Sequence, residues 1–230
     1  MVNRVTTLPG ECPVRNVLVS VSDKTGLPEL IPVLAGFPQV TFYSTGGTFE
    51  TLKSLLGSEG KDRLIPVSRY TGQPEMQGGL VKTLDYKIYL GLLSEPGNPA
   101  HREDQARTGA VELDMVVVNL YPFAKTIASP GADPEAARGQ IDIGGPCLLR
   151  AAAKNFLRVA AVCDPADYSR IAGELARRRG ALGVETRFYL AGKVFALTAA
   201  YDAAIAAYLG GLDFAALSAC YPSGGEGGRG

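Results

Sequence analysis

The chain has 230 residues, of which 46% are hydrophobic and 20% charged, a balance typical of a folded globular protein. Its 23 Lys and Arg residues equal its 23 Asp and Glu residues, so the formal net charge of zero argues against nucleic acid or a membrane surface as a partner. Four widely separated cysteines and one histidine, His101, offer no short-spaced ligand set for zinc. We therefore expect no metal, no membrane span and a reduced, cytoplasmic environment.

Short apolar runs alternate along the chain with segments of helical spacing. Each run is bounded by polar or turn residues, which is typical of a strand buried on both faces. The predicted strands cover residues 17–21, 40–43, 64–67, 116–120 and 159–163. The predicted helices cover residues 27–34, 48–56, a segment after Pro146, 166–179 and 184–209. This alternation predicts an α/β fold in which helices cover both faces of a mostly parallel sheet, a three-layer α/β/α sandwich.

Changes in composition mark the expected limits of the folded part. Residues 1–13 show no periodic pattern, and we expect them to form a flexible lead-in. Residues 14–212 form one predicted domain. Residues 213–230 end in a Gly- and Ser-rich run, which predicts a disordered tail.

Two hydroxyl-rich loops follow the first two predicted strands, each just before a helix. The first reads Ser-Val-Ser-Asp-Lys-Thr-Gly over 20–26, and the second reads Ser-Thr-Gly-Gly-Thr over 44–48. Ligands of parallel sheets lie beyond the carboxyl ends of the strands. Glycines, hydroxyls and a lysine before a helix can hold a phosphate there. Plain helix capping by Ser22 or Asp23 is the alternative for the first loop, but two such loops in succession favour a shared phosphate site.

The stretch 142–155 places a carboxylate before a glycine pair, a proline and a helix that carries a lysine. Asp142 and Lys154 are candidates for acid–base catalysis, although an ordinary loop before a helix explains the same pattern. If one straight helix runs from Pro146, Lys154 lies about 12 Å from its start. Either a substrate spans the two side chains, or the helix begins later than Pro146.

Two further polar segments carry candidate residues. Residues 70–83 form a long polar excursion that contains Lys82, and loops of this length are usually functional or disordered. Asn119 and Tyr121 end the strand predicted at 116–120 and share one face if the strand persists that far. For Tyr121, a half-buried packing role is the alternative.

Together these motifs resemble the inosine monophosphate cyclohydrolase domain of the bifunctional purine-biosynthesis family. Seven matching motifs occur in order within residues 15–209. They lie at 20–26, 44–48, 70–76 (Tyr-Thr-Gly-Gln-Pro-Glu-Met), 81–84 (Val-Lys-Thr-Leu), 117–123 (Val-Val-Asn-Leu-Tyr-Pro-Phe), 142–146 (Asp-Ile-Gly-Gly-Pro) and 150–155 (Arg-Ala-Ala-Ala-Lys-Asn). The resemblance implies a methylglyoxal-synthase-like sandwich. It also implies closure of 5-formamidoimidazole-4-carboxamide ribotide to inosine monophosphate and water, without a metal or organic cofactor.

The resemblance also assigns roles to residues. The catalytic candidates are Lys82, Tyr121, Asp142 and Lys154. The substrate-binding candidates are Ser22, Asp23, Lys24, Thr25, Thr45, Gly46, Gly47, Thr48, Val81, Thr83, Asn119, Ile143 and Gly144. The loops at 20–26 and 44–48 would meet the 5′-phosphate, while Asn119 and Ile143 would lie near the base. Our hypothesis is that Lys82, Tyr121 and Asp142 act on the attacking amide and that Lys154 stabilises the formyl oxygen.

The chain departs from the family pattern at three points. Leu80 stands where the family has an arginine, and Asp85-Tyr86 stand where it has His-Pro. Leu80 lacks the guanidinium of the family's arginine, and Asp85 lacks the imidazole of its histidine. These losses are consistent with altered substrate binding, with compensation by other residues, or with loss of activity. The family also continues into a transformylase domain. If the chain is natural and complete, we expect a separate enzyme to supply the formylated precursor. A homodimer is left open, since the family pairs largely through that domain.

Two other functions compete with a cyclohydrolase that takes a small nucleotide substrate. A regulatory phosphate- or nucleotide-binding module of the same fold would need the phosphate loops but not the four catalytic candidates together. A methylglyoxal synthase would need a histidine and aspartates at its reacting centre. His101 lies in a polar run, where a loop or helix-start position is expected, so it fits that role poorly.

Overall fold

The computed structural model describes residues 4–73 and 82–221, without the side chain of Glu59. The chain divides into two compact units. The first consists of residues 1–120 and 143–197, and the second of residues 121–142 and 198–230. The chain therefore leaves the first unit after residue 120, builds part of the second unit, and returns at residue 143.

The described residues contain short strands and helices in alternation. The strands are β1 (Glu11–Pro13), β2 (Asn16–Val21), β3 (Thr41–Ser44), β4 (Leu64–Pro66), β5 (Met115–Asn119), β6 (Ala160–Val162) and β7 (Ala181–Gly183). The helices are α1 (Leu27–Ala35), α2 (Gly46–Gly60), α3 (Val67–Thr71), α4 (Tyr86–Leu93), α5 (Pro99–Thr108), α6 (Phe123–Ile127), α7 (Pro134–Gly139), α8 (Gly144–Lys154), α9 (Tyr168–Arg177), α10 (Val184–Gly211) and α11 (Phe214–Ala219).

A five-stranded sheet forms the centre of the first unit. Its strand order is β4-β3-β2-β5-β6, and every neighbouring pair is parallel. β2 lies in the middle, where Val17 pairs with Phe42 of β3 and with Met115 of β5, and all three side chains are fully buried. The predicted strands agree with these to within one residue at each end. The expected mostly parallel sheet is confirmed.

Helices cover both faces of this sheet because successive strand residues point to opposite faces. Val17 and Val19 of β2 belong to a core that includes side chains from α1, α2 and α9. Leu18 belongs to a second core with side chains from α4, α8 and α10. The three-layer α/β/α arrangement predicted from the sequence is therefore confirmed.

Three helices of the first unit, α3, α4 and α5, were not predicted. Asp85 caps α4 by accepting a hydrogen bond from the N–H of Lys87 at 2.8 Å. Asn98 caps α5 by accepting from the N–H groups of Ala100 and His101. α5 is polar over most of its length, so apolar spacing could not reveal it. Its cap and the following Pro99 are the signals that would have done so.

The expected flexible lead-in differs from the structure at its end. Residues 11–13 form β1, which pairs antiparallel with β7. Pro9 is held as well, because its carbonyl accepts a hydrogen bond from the guanidinium of Arg187 at 2.6 Å. Arg187 is fully buried and donates only to backbone carbonyls among its described hydrogen bonds. A distant arginine thus fixes a segment that has no periodic pattern of its own.

A buried ion pair ties together the amino ends of β2, β5 and β6. Arg158, just before β6, donates to the carboxylate of Asp114 at 3.3 Å and to the carbonyl of Leu113 at 3.0 Å. Asp114 also accepts from the N–H groups of Arg15 and Asn16. Burial raises the pKa of Asp114, against the opposing effect of these hydrogen bonds. These hydrogen bonds join the residues that precede β2, β5 and β6 at the amino edge of the sheet.

The second unit contains α6, α7, α11 and the last part of α10. The ring of Phe123 packs edge-on against Tyr201 and Tyr208 of α10, at centroid distances of 6.2 and 5.8 Å. The expected disordered tail differs from the structure over residues 214–219, which form α11. Asp213 caps this helix by accepting from the N–H of Ala215.

α10 begins in the first unit and ends in the second. By length and composition alone it could cross a membrane. Its most apolar stretch of 18 residues has a mean hydropathy of 1.3, and 11% of that stretch is buried. One such helix is weak evidence for a membrane span. Its first half belongs to the core of the first unit, where Arg187, Leu190 and Val194 are buried.

Candidate functional site

The amino end of α2 lies at the carboxyl end of β3 and carries the glycine pair Gly46-Gly47. Thr45 occupies the N-cap position in an extended conformation, but its side chain does not cap the helix. Gly46 adopts a left-handed φ of 46°, which favours glycine. A Cβ at Gly47 would meet no atom within 4 Å, so this helix end faces open space. An uncapped helix amino end of this kind is suited to an anion.

The hydroxyls around α2 are used to join strands rather than to cap the helix. Thr45 Oγ1 shares a hydrogen bond with Ser20 Oγ at 3.0 Å. Thr48 Oγ1 donates to the carbonyl of Val21 and accepts from its N–H. Both threonines are buried. The end of β2 is therefore bonded to the start of α2.

Lys82 brings a positive charge to the same helix end. A Cβ on Gly46 would lie 3.2 Å from Lys82 Nζ, so the ammonium group lies directly over this glycine. The next residue, Thr83, is buried, and its hydroxyl would lie 3.3 Å from a Cβ on Gly144. Lys82 and Thr83 thus connect the amino end of α2 with that of α8.

The loop from Ser22 to Gly26 lies beside β5. Asn119 Oδ1 accepts hydrogen bonds from the N–H groups of Ser22 and Asp23, at 2.7 and 2.9 Å. Lys24 Nζ turns back onto the carbonyl of Ser22 at 3.0 Å, and Thr25 N–H donates to Asp23 Oδ1. β5 ends at Asn119, so the strand does not persist to Tyr121, and the condition for a shared strand face of the two residues is not met.

α8 begins at Gly144, two residues before the predicted start at Pro146. The helix runs from Gly144 with Ile143 at its N-cap position, and Ile143 is 60% exposed. The alternative of a helix that starts after Pro146 is therefore wrong. Helix geometry puts Lys154, ten residues after Gly144, about 15 Å farther along the axis.

Lys154 lies at the amino edge of the sheet, away from the loops after β2 and β3. It is the last residue of α8 and is exposed. The next residue, Asn155, donates to the carbonyls of Leu92 and Ser94 beside the Arg158 network. Within the first unit, the structure therefore brings Lys82 together with Gly46 but does not bring Lys154 to them. The catalytic role of Lys154 stays a prediction that its position does not support.

The second unit holds the other two catalytic candidates. The N–H of Tyr121 approaches Asp142 Oδ2 at 3.4 Å, and Tyr121 is 42% exposed. The backbone N–H of Asp142 donates to the hydroxyl of Tyr201 at 2.9 Å. Burial raises the pKa of Tyr201, partly offset by its hydrogen bond with Asp142, so the phenol is protonated at neutral pH. Tyr201 was missed because nothing in an Ala-rich helical segment distinguishes it.

Val81 and Leu80 lie outside the described residues. Asp85, where the family has a histidine, is the N-cap of α4, and Tyr86 is 60% exposed. Within residues 4–73 and 82–221, no three His, Cys, Asp or Glu side chains are grouped so that they could hold a metal ion.

Comparison with known proteins finds two family models along the chain. The model described as an MGS-like domain matches residues 34–147, and the model described as the AICARFT/IMPCHase bienzyme matches residues 152–222. Among solved structures, the crystal structure of ForH has a TM-score of 0.74 and 32% sequence identity to this chain. The match covers 85% of this chain and 96% of ForH.

Several curated relatives carry the description bifunctional purine biosynthesis protein PurH. The protein of Magnetococcus marinus is 46% identical over 202 residues, which are 87% of this chain and 36% of that protein. The protein of Pelodictyon phaeoclathratiforme is 46% identical over 198 residues, 86% of this chain and 37% of the relative. This chain therefore spans a little over a third of the length of the curated relatives it matches.

Proposed function

Because this chain belongs to the same family as ForH and combines an MGS-like domain with a match to the AICARFT/IMPCHase bienzyme, we propose that it is an inosine monophosphate (IMP) cyclohydrolase. The reaction is the dehydrative ring closure of 5-formamidoimidazole-4-carboxamide ribotide, a step of purine biosynthesis. The activity would be cytoplasmic, and it needs no metal or organic cofactor.

The observation that carries this proposal is the uncapped amino end of α2 beneath the Lys82 ammonium. The substrate is a phosphate monoester, so it needs a site that stabilises a doubly charged anion. Gly46 and Gly47 leave the first N–H groups of the helix open, and Lys82 adds a full positive charge. The helix dipole contributes in the same direction. Together these groups support seating the 5′-phosphate at the carboxyl ends of β2 and β3.

The chemistry of ring closure explains why lysine, tyrosine and aspartate are suitable residue types. The carboxamide nitrogen must lose a proton as it attacks the formyl carbon, and the formyl oxygen must gain protons before it leaves as water. We assign proton removal from the amide to Asp142, with Tyr121 beside it, and the positive charge at the phosphate to Lys82. A protonated lysine or a phenol can also stabilise the negative charge that develops on the formyl oxygen.

The test is direct conversion of substrate by the whole chain. Purified protein is mixed with the formylated ribotide, and formation of IMP is followed by its purine absorbance and by chromatography. We expect enzyme-dependent conversion that is lost in Asp142→Asn and retained in Asp202→Asn, a matched change at an exposed carboxylate of the second unit. Absence of conversion by folded protein would defeat the proposal.

A regulatory phosphate-binding module is the second candidate, and the position of Lys154 favours it. One of the four residues assigned to catalysis lies at the other edge of the sheet in the first unit. A module of this kind would bind IMP or inorganic phosphate at α2 but would not convert the formylated ribotide. Binding without turnover in the same assay would identify it.

A further inference from the structure

We infer that Asn119 is a positioning residue that holds the loop from Ser22 to Gly26 in its ligand-binding shape, and that it does not read the base. This inference rests on the proposed nucleotide function and concerns the same site. Its starting point is the side-chain amide of Asn119, which lies across the ends of β5 and β2. Asn119 pairs with Val21 in the parallel register, so its side chain stands directly beside the start of the loop.

Three hydrogen bonds tie this one amide to the loop backbone. Oδ1 accepts from the N–H of Ser22 at 2.7 Å and from the N–H of Asp23 at 2.9 Å. Nδ2 donates to the carbonyl of Asp23 at 2.6 Å. An asparagine carbonyl oxygen has two lone pairs, so its acceptor capacity is filled. Only one N–H of Asn119 is left over by these three bonds.

Other described hydrogen bonds of the loop join it to itself and to the start of α1, where Leu27 N–H donates to the carbonyl of Lys24. Asp23, Lys24 and Thr25 are exposed. The hydrogen bonds of Lys24 Nζ and of Thr25 N–H run to residues 21–23, within the same stretch of chain. Gly26 closes the loop with a left-handed φ of 78°, where a Cβ would collide with the ring of Tyr168 at 2.9 Å. Asn119 at one end and Gly26 at the other therefore set the loop conformation.

The N–H groups of Ser22 and Asp23 are occupied by Asn119, so they are not open donors for a phosphate. The loop then contributes side-chain groups, the hydroxyl of Ser22 and the ammonium of Lys24, while backbone donors come from α2. In this arrangement a change at Asn119 acts on the phosphate through the loop and leaves the base unaffected.

The test compares three ligands that separate phosphate from base. Binding of IMP, inosine and ribose 5-phosphate is measured by calorimetry for wild type and Asn119→Ala. We expect IMP and ribose 5-phosphate to weaken by the same factor, about tenfold for the ordering of a residue or two, with inosine unchanged. If Asn119 instead contacts the base, IMP and inosine weaken together and ribose 5-phosphate does not, which overturns the inference.

Amide hydrogen exchange supplies a readout that needs no ligand. In wild type the amides of Ser22 and Asp23 are protected by Asn119, and we expect their exchange to be at least about tenfold faster in Asn119→Ala. Unchanged exchange overturns the inference. If wild type binds none of the three ligands, the proposed function fails while the exchange result still decides the role of Asn119.

Two further variants complete the design. Asn98→Ala is the matched control, because Asn98 also accepts from two backbone N–H groups but caps α5. It should leave the exchange of Ser22 and Asp23 and the binding of all three ligands unchanged. If Asn119→Ala does not fold, Asn119→Asp replaces it, since a carboxylate keeps both acceptor bonds. We expect it to preserve protection of the two amides, and loss of protection there contradicts the inference.

Discussion

The hydroxyl of Tyr201 accepts a hydrogen bond from the backbone N–H of Asp142 at 2.9 Å and donates one to the carbonyl of Gln140 at 2.9 Å. One side chain of α10 thus fixes the backbone just before the carboxylate that we assign to proton transfer. The geometry of Asp142 therefore depends on a residue 59 positions away in the chain.

Tyr201→Phe removes both hydrogen bonds and keeps the ring that packs on Phe123. We expect kcat/KM for IMP formation to fall about thirtyfold, because a net hydrogen bond is worth about 1 kcal/mol and two are lost. Tyr208→Phe is the control, since Tyr208 packs on the same Phe123 ring. Equal activity in the two variants would show that Tyr201 does not position Asp142.

Lys82 and Lys154 give the sharpest contrast among the catalytic candidates. Lys82→Ala removes the charge over α2, and we expect a loss of about a hundredfold or more in kcat/KM. Lys154→Ala changes an exposed side chain at the opposite edge of the sheet, so its rate should stay within about twofold of wild type. Steady-state kinetics on both variants decide the matter. A comparable loss in the two would restore Lys154 to the reaction.

Gly46 and Gly47 form a second matched pair. Gly46→Ala puts a side chain at a left-handed φ, at a cost of about 1–2 kcal/mol, and pushes its methyl group toward Lys82 Nζ. Gly47→Ala adds a methyl group in open space. Thermal unfolding should show a lower Tm for the first variant only, and calorimetry with inorganic phosphate should show weaker binding in it. If Gly46→Ala keeps the Tm and the phosphate affinity of wild type, Lys82 does not lie close to Gly46.

The buried pair of Arg158 and Asp114 should matter for stability rather than for chemistry. Arg158→Ala leaves a buried carboxylate without its guanidinium, and we expect a loss of about 3–5 kcal/mol in the free energy of unfolding. Arg107→Ala, which breaks an exposed pair with Asp104, should cost about 1 kcal/mol or less. Urea unfolding of both variants measures the difference, and similar losses would refute the assignment.

Acid should weaken the contact between the loop after β6 and α10. Asp164 accepts a hydrogen bond from Lys193 Nζ at 2.6 Å, which lowers its pKa below the ordinary value of 3.8. A lowered carboxyl pKa gives stability that is present above the ordinary value and is lost as pH falls through the folded-state value. Asp164→Asn should therefore lower Tm at pH 7, by a small amount because the side chain is 42% exposed. The Tm difference between Asp164→Asn and wild type should shrink below pH 3.8. A Tm difference that stays constant with pH would contradict this prediction.

The parts of this fold that could be predicted from sequence are those determined by local pattern. Buried strands such as β2 and β5 are continuous apolar runs, so their existence, their parallel pairing and the layers around them follow from composition and alternation. β1 could not be predicted, because its partner β7 lies some 170 residues away. α5 was missed because its residues are polar and only its cap indicates a helix.

In the candidate site, too, the residue types could be predicted from local pattern, whereas their positions could not. The glycine pair at the start of α2 and the lysine at position 82 were identified as residue types, and the structure places Lys82 beside Gly46. The position of Lys154 could not be predicted while the start of α8 was unknown, since a shift of a few residues moves the helix end by several ångströms. The hydrogen bonds of Asn119 depend on the register between β2 and β5, which no local pattern specifies.

The chain between Tyr121 and Asp142 begins and ends at nearly the same point. The N–H of Tyr121 approaches Asp142 Oδ2 at 3.4 Å, while α6 and α7 fill the interval. Doubling the length of a closed segment costs only about 0.6 kcal/mol when its ends stay together. The turn around Gly131 is therefore a place where residues can be inserted, for example a peptide tag or a fluorescent reporter, with little effect on the spacing of the two side chains at its base.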